Sequence, residues 1–133
     1  MKISSEEEMI SFGREFAKTV KMPQVIELIG DVGAGKTTFV RGLAEGLGIT
    51  TPVTSPSFTI SKEYAFDGGR LVHYDFYRLQ DPGLMSEDLY EATSDPHAIV
   101  IVEWANSVEN ILPESTIKIQ IKYNDDGTRE IIK

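Results

Sequence analysis

The chain has 133 residues, no cysteine and a net charge of −8. That length suits one domain with one core, and the missing thiols exclude a disulfide framework, a zinc–thiolate centre and a cysteine nucleophile. No apolar run approaches the roughly 20 residues of a membrane span, and Met1 to Val20 has no apolar core of the signal-peptide kind, so a soluble cytoplasmic protein is expected.

Ser4 and Ser5, followed by Glu7 and Glu8, form two overlapping capping boxes, and Ile10, Phe12, Phe16, Ala17 and Val20 recur near helical spacing. A first helix is expected there, with a structural role. After Pro23, the segment Gln24 to Ile29 is a short apolar run around one acid, which suits a strand covered on both faces.

Gly30-Asp31-Val32-Gly33-Ala34-Gly35-Lys36-Thr37 then fills every fixed position of the phosphate-binding pattern G-x-x-x-x-G-K-[ST]. Glycines let the backbone wrap with its N–H groups pointing inward, and a helix starting near Lys36 adds the positive end of its dipole. Gly33, Ala34, Gly35, Lys36, Thr37 and Thr38 are the candidate nucleotide-binding residues. Lys36 brings a full charge to the β- and γ-phosphates; at about 4 Å and an effective dielectric near 20, one such pair is worth roughly 4 kcal/mol before desolvation. Thr37 offers its hydroxyl to a magnesium ion. The helix continues through Phe39, Val40, Leu43, Ala44 and Leu47 on one face, with Gly48 at a left-handed C-terminal cap.

Ile49 to Thr59 is too rich in hydroxyls and prolines for a regular element. Thr54, Ser55 and Ser57 suit either a nucleotide-sensing switch loop or an ordinary surface loop whose hydroxyls serve local backbone. Thr59 to Tyr64 and Leu71 to Phe76 are expected to form a hairpin turning at Gly68-Gly69. In its second strand His73 and Asp75 share a face. Asp75 is the candidate catalytic acid or base, suited to orienting or deprotonating an attacking water, and Arg78 is a candidate for reaching developing charge on the phosphate.

Asp81-Pro82 is expected to open a helix that turns Leu84, Met85, Leu89 and Tyr90 inward, to about Ala92. Ala98 to Glu103 follows as a continuous apolar run ending in a carboxylate, the pattern of a Walker B strand beside the phosphate-loop strand. Glu103 is therefore the preferred magnesium-side carboxylate, with Asp75 its competitor. Trp104 packs over the site, on a partner or in the core. Val108, Ile111 and Leu112 make an apolar turn, Ser115 to Tyr123 alternates, Asp126-Gly127 turns, and Thr128 to Ile132 returns as an edge hairpin.

Charge is unevenly spread: Asp81 through Glu114 contains eight acids and no lysine or arginine. Such a surface repels a phosphate backbone, which argues for a basic protein partner over direct nucleic-acid binding, or for a solvated face that maintains solubility.

The fold class expected from this order is α/β, a three-layer phosphate-loop NTPase with a mostly parallel central sheet and a C-terminal antiparallel hairpin, formed by residues 1–133 as a single domain. Taken together, Gly30 to Thr38, Val53-Thr54-Ser55-Pro56-Ser57-Phe58, His73-Tyr74-Asp75-Phe76-Tyr77-Arg78 and Ile101-Val102-Glu103-Trp104, in that order, resemble the bacterial TsaE (YjeE) family. The resemblance covers most of the chain. It implies a magnesium-dependent ATPase, weak alone, that acts with the TsaD and TsaB proteins in forming threonylcarbamoyladenosine on tRNA, meeting the tRNA only through that complex. It also implies ATP and Mg2+ as cofactors, a switch-like role for Thr54 to Ser57, a functional acid at Asp75 and a magnesium-site acid at Glu103. The family often carries another acid shortly after its tryptophan; here Ala105-Asn106-Ser107 stands instead. A small-molecule kinase, which would usually close an arginine-rich lid, fits less well because only Arg70 and Arg78 lie mid-chain. A GTP-driven switch lacks its Asn-Lys-x-Asp stretch, and a non-enzymatic nucleotide-binding assembly subunit is the remaining alternative.

Overall fold

The computed structural model describes residues 1–31, 33–56, 60–77 and 83–133, with Leu84 described by its backbone alone. In chain order the elements are β1 (Lys2–Ile3), α1 (Glu6–Ala17), β2 (Gln24–Ile29), α2 (Lys36–Gly46), β3 (Ser61–Phe66), β4 (Gly69–Asp75), α3 (Leu84–Ser94), β5 (Ala98–Glu103), β6 (Ile117–Tyr123) and β7 (Arg129–Ile132), with two short 3-10 turns between β5 and β6. Seven strands form one sheet in the order β1-β7-β6-β2-β5-β4-β3. This is the mixed α/β class expected from sequence, with the β6–β7 pair antiparallel and β4–β5 parallel. The chain divides into two compact units: Met1–Val20, Leu28–Ser55 and Lys118–Lys133 in the first, Lys21–Glu27 and Pro56–Ile117 in the second.

In the first unit α1 starts at a capped end. Ser5 Oγ accepts from the Glu8 N–H at 3.1 Å, and Glu8 Oε2 accepts from the Ser4 N–H at 3.1 Å, so the two donors of the overlapping boxes are both used. The buried face is Met9, Gly13, Phe16 and Ala17. Met9 takes the place expected for Ile10, because a turn of 100° per residue aligns 9 with 13 and 16. Against this face lie Phe39, Val40, Leu43 and Ala44 of α2, all at most 1 % exposed. Burying each large side chain contributes about 1.5–3 kcal/mol. Phe12, Phe16 and Phe39 meet with ring centroids 5.6–6.2 Å apart. Close approach of the two helices depends on glycine: a Cβ on Gly42 would stand 2.2 Å from the Ile10 carbonyl oxygen, and one on Gly13 2.5 Å from that of Phe39. Gly48, with φ +85°, follows the C-cap of α2; its N–H reaches Glu45 O and the Ile49 N–H reaches Ala44 O, the paired bonds of a Schellman motif.

The C-terminal hairpin is not at the sheet edge as expected. The two-residue β1 pairs outside β7, Lys2 opposite Glu130 and Ile3 opposite Arg129. A strand this short carries no periodic signal, which is why it is invisible in sequence.

In the second unit β3 and β4 pair antiparallel, Ser61 opposite Tyr74 through Phe66 opposite Gly69. The turn is therefore Asp67-Gly68, with φ +96° at Gly68, and Gly69 begins the strand. A Cβ on Gly69 would stand 2.5 Å from the His97 carbonyl oxygen, so this second glycine serves a close approach and not the turn. The side chains of Val72, Tyr74 and Phe76 join Ala98, Val100, Val102, Leu89 and Ala92 in one apolar cluster. Tyr90, expected inward, is 62 % exposed. Leu89 and Ala92 lie one turn apart on the packed face of α3, and residue 90 is rotated off it. Asp81 and Pro82, the expected start of this helix, lie outside the described residues.

Candidate functional site

The phosphate loop belongs to the first unit. Gly33 and Gly35 have φ of +82° and +108°, the left-handed region that lets successive peptide N–H groups turn to one side. Gly35 is the N-cap of α2 and Lys36 its first residue, so the N-terminal N–H groups of the helix adjoin the loop. Lys36 is buried, and its Nζ donates to the Gly30 carbonyl at 2.5 Å, which ties the ammonium to the start of the loop. Thr37 and Thr38 are half-buried in the first turn of α2. A Cβ on Gly33 would meet nothing within 4 Å, and that side of the loop is open to a ligand. On Gly30 a Cβ would stand 2.7 Å from Ile121 O, which explains why glycine is required there.

One participant has no signal in the loop pattern. Arg129, on β7, donates from Nε to Ala34 O and from a terminal nitrogen to Gly33 O, both at 3.3 Å, while its guanidinium lies 4.1 Å from the centre of the Tyr123 ring. It therefore holds the outward-facing carbonyls of the loop. Arg129 also borders a cavity of about 190 Å³ together with Ile3, Glu6, Met9, Gly35 and Thr38.

The second unit brings three of the predicted side chains together. Parallel pairing of β4 with β5 sets Asp75 opposite Glu103 and His73 opposite Ile101. His73 and Glu103 thus share a face two residues apart along the strands, and His73 Nε2 hydrogen-bonds Glu103 Oε2. His73 is completely buried and Glu103 is 3 % exposed, so the bond forms away from water. Asp75 is less covered; its Oδ1 accepts from the Tyr77 N–H at 3.0 Å, an Asx turn that closes the strand.

Backbone strain marks both flanks of this cluster. Ile60 (φ +68°) and Trp104 (φ +57°) are the non-glycine residues with positive φ among the described residues. Ile60 O accepts from the Asp75 N–H at 2.7 Å, and Trp104 directly follows Glu103. Such conformations cost about 1–3 kcal/mol each and persist where surroundings enforce them. The Trp104 ring packs against the half-exposed Tyr77 at 4.7 Å between centroids, and also against the apolar cluster of the unit, so the core and surface readings of this residue both hold in part.

Behind the cluster, Tyr74 OH donates to Asp88 Oδ1 of α3, and burial, then the Asp88 bond, push the phenol far above its ordinary range. Arg70 donates to Asp95 at 2.8 Å and to Glu63 at 3.0 Å; the Asp95 bond is the leading cause that raises the guanidinium further.

Magnesium requires hard oxygen donors; the first unit carries such a donor in the Thr37 hydroxyl, and the second unit carries others in the Asp75 and Glu103 carboxylates. No group of three or more histidine or acidic side chains suited to an ion occurs among the described residues. That absence is compatible with magnesium, which is commonly held by one or two carboxylates and the substrate's own phosphates. Thr54 and Ser55 are exposed. Val32, Ser57, Phe58, Thr59 and Arg78 lie outside the described residues.

The family model described as threonylcarbamoyl adenosine biosynthesis protein TsaE matches residues 3–131. Over 126 residues the chain is 44 % identical to the tRNA threonylcarbamoyladenosine biosynthesis protein TsaE of Bacillus subtilis (strain 168), covering 94 % of this chain and 78 % of that protein. The protein of the same name from Aquifex aeolicus (strain VF5) is 46 % identical over 131 residues, with 97 % and 90 % covered. Among solved structures, the crystal structure of Bacillus subtilis YdiB matches with a TM-score of 0.81 at 38 % identity, covering 98 % of this chain and 80 % of that one. Together with the loop and strand-end geometry, these matches show that the chain belongs to the TsaE family of threonylcarbamoyl adenosine biosynthesis proteins.

Proposed function

We propose that this chain is a magnesium-dependent ATPase of the cytoplasm, working as one domain over residues 1–133, that supports threonylcarbamoyladenosine modification of tRNA by acting on a TsaD–TsaB complex. The observation that carries this reading is the loop itself: left-handed glycines at 33 and 35 running straight into the N-terminus of α2, with Lys36 tied to Gly30, make a backbone cradle for a polyphosphate. Family membership supplies the biological context, since the relatives are named for tRNA threonylcarbamoyladenosine biosynthesis.

In this reading the N–H groups of Gly33 to Thr38 and the Lys36 ammonium bind the β- and γ-phosphates and hold them in line for attack. The Thr37 hydroxyl and the Glu103 carboxylate hold magnesium, which neutralises charge on the phosphates when bound. Asp75 is more exposed than Glu103, which suits it to orient the attacking water and accept its proton. Thr54 to Ser57 serves as the nucleotide-sensing loop. With a net charge of −8 and no cation from Asp81 to Glu114, the chain suits a basic protein surface and reaches tRNA only through its partners.

The test is ATP hydrolysis by the purified chain, alone and with the TsaD–TsaB pair, with and without magnesium. Slow turnover alone, stimulation by the pair and loss on chelation are expected. ATP binding with no turnover in any mixture would convert the reading to a non-enzymatic assembly subunit.

A further inference from the structure

Among the buried polar side chains of the described residues, His73 is one that neither the phosphate cradle nor the proposed chemistry uses. His73 lies in the middle of β4, 0 % exposed, between strands whose neighbouring residues Leu71, Ile99 and Ile101 are apolar and equally covered. A histidine there costs desolvation that a leucine would not. Its one hydrogen bond among the described residues is from Nε2 to Glu103 Oε2; the other ring nitrogen, Nδ1, has no hydrogen-bond partner among them. In the neutral ring, the tautomer with hydrogen on Nε2 donates to the carboxylate and leaves a lone pair at Nδ1. The ring is therefore dedicated to one carboxylate oxygen.

A carboxylate on a buried strand end can rotate about its last torsion, a broad and soft coordinate. Anchoring one oxygen from below stops that rotation and turns the second oxygen away from the ring. The backbone fixes the same residue independently, since Glu103 O accepts from the Phe76 N–H at 3.1 Å. Glu103 is thus held at both its main chain and its side chain by β4 and the residue that follows it.

We propose that His73 is a positioning residue for the Glu103 carboxylate, presenting one oxygen of that group to a hard divalent cation while itself touching neither cation nor nucleotide. The inference rests on the assignment of Glu103 as the magnesium-side acid. It follows the general pattern in which a hydrogen bond behind a metal-binding carboxylate sets its orientation, and losing such a bond typically weakens metal affinity by about 10–100-fold.

Isosteres separate positioning from packing. Glutamine carries its amide nitrogen near the place of Nε2 and can still donate to Glu103; asparagine carries its nitrogen near Nδ1 and cannot. Trp104 is the one tryptophan of the chain and adjoins Glu103, so its fluorescence can follow a magnesium titration of the ATP-bound full chain independently of turnover. Calorimetry of the same titration gives a second readout. His73→Asn is expected to raise the magnesium dissociation constant by about tenfold or more, and His73→Gln to remain within about threefold of the parent. Nucleotide affinity without magnesium should be the same in all three. Equal magnesium affinity in the parent and His73→Asn, both folded by circular dichroism, would overturn the inference and make His73 a packing residue. If the Gln and Asn variants lose magnesium affinity equally, a hydrogen-bonding role is likewise overturned. If His73→Asn does not fold, His73→Leu, which fills the apolar site without a donor, takes its place: magnesium affinity equal to the parent overturns the inference, and a loss of about tenfold or more that His73→Gln does not share supports it. Unchanged magnesium affinity in Glu103→Gln separately overturns the assignment on which the inference rests.

Discussion

Asp75 and Glu103 stand opposite one another as the last residues of parallel neighbours β4 and β5, yet their surroundings differ. Glu103 is buried and held by His73, whereas Asp75 is half-covered and its Oδ1 accepts from the Tyr77 N–H of the turn that follows it. Two carboxylates in unlike environments are suited to unlike tasks.

From this difference, Glu103→Gln is expected to weaken magnesium affinity more than Asp75→Asn does, by about tenfold or more. Asp75→Asn is expected to lower kcat by on the order of 10²-fold with magnesium affinity nearly intact. A magnesium titration monitored by Trp104 fluorescence, paired with steady-state turnover, checks both. The reverse ordering would exchange the roles of the two acids.

Lys36 is the next test, because it is the one cation in the sequence Gly30 to Thr37 and its Nζ already bonds loop backbone at Gly30. Lys36→Ala is expected to reduce ATP hydrolysis by about 10²–10³-fold or more while the circular dichroism spectrum is retained. Lys36→Met keeps most of the buried stem and should match the parent in thermal stability more closely, with the same loss of turnover. Turnover equal to the parent in either variant would remove Lys36 from the site.

The phosphate loop, β2 and β5 were legible because each rests on local information. Gly30 to Thr37 is a fixed pattern, and the runs Gln24 to Ile29 and Ala98 to Glu103 are apolar segments bounded by prolines and turn residues, so their ends are the observed strand ends. What depends on partners far along the chain was not legible. The hydrogen bond from His73 to Glu103 needs the β4–β5 register, which sequence spacing does not contain. Arg129 reaches Gly33 and Ala34 across more than ninety positions, and nothing about an arginine after a turn announces that contact. Gly68 and Gly69 look alike in sequence, but one supplies a positive φ and the other makes room for His97 O.

Helix packing behind the loop yields a third expectation, in which two effects compete. Alanine in place of glycine inside a helix gains about 1 kcal/mol of propensity. At Gly42 the added Cβ would stand 2.2 Å from Ile10 O and 2.8 Å from Ile10 Cα, both backbone atoms of α1, so α1 would have to move away from α2. Overpacking of this kind costs about 1–3 kcal/mol, more where the obstacle is backbone. Gly42→Ala is therefore expected to be destabilising in urea denaturation, against its helix propensity. A stabilised variant would show that the two helices separate at little cost.

The hairpin that carries Arg129 to the loop gives a pH-dependent expectation. In its turn Asp126 Oδ1 accepts from the Thr128 hydroxyl at 2.6 Å and the Thr128 N–H at 3.0 Å, with Lys2 Nζ 3.3 Å from Oδ2. These bonds, the Thr128 hydroxyl first, hold the carboxyl down at about 2, against an unfolded value of about 3.9. A depressed carboxyl favours the folded state at any pH above its unfolded value, and that contribution disappears as pH falls through the folded value. Asp126→Asn should therefore lower the Tm at pH 7, by an amount that stays constant down to about pH 5, is much reduced at pH 2 and disappears towards about pH 1. Thermal melts of parent and variant across that range measure the gap directly. A gap that persists unchanged at pH 2 would assign the effect to the shape of the turn and not to the charge of Asp126.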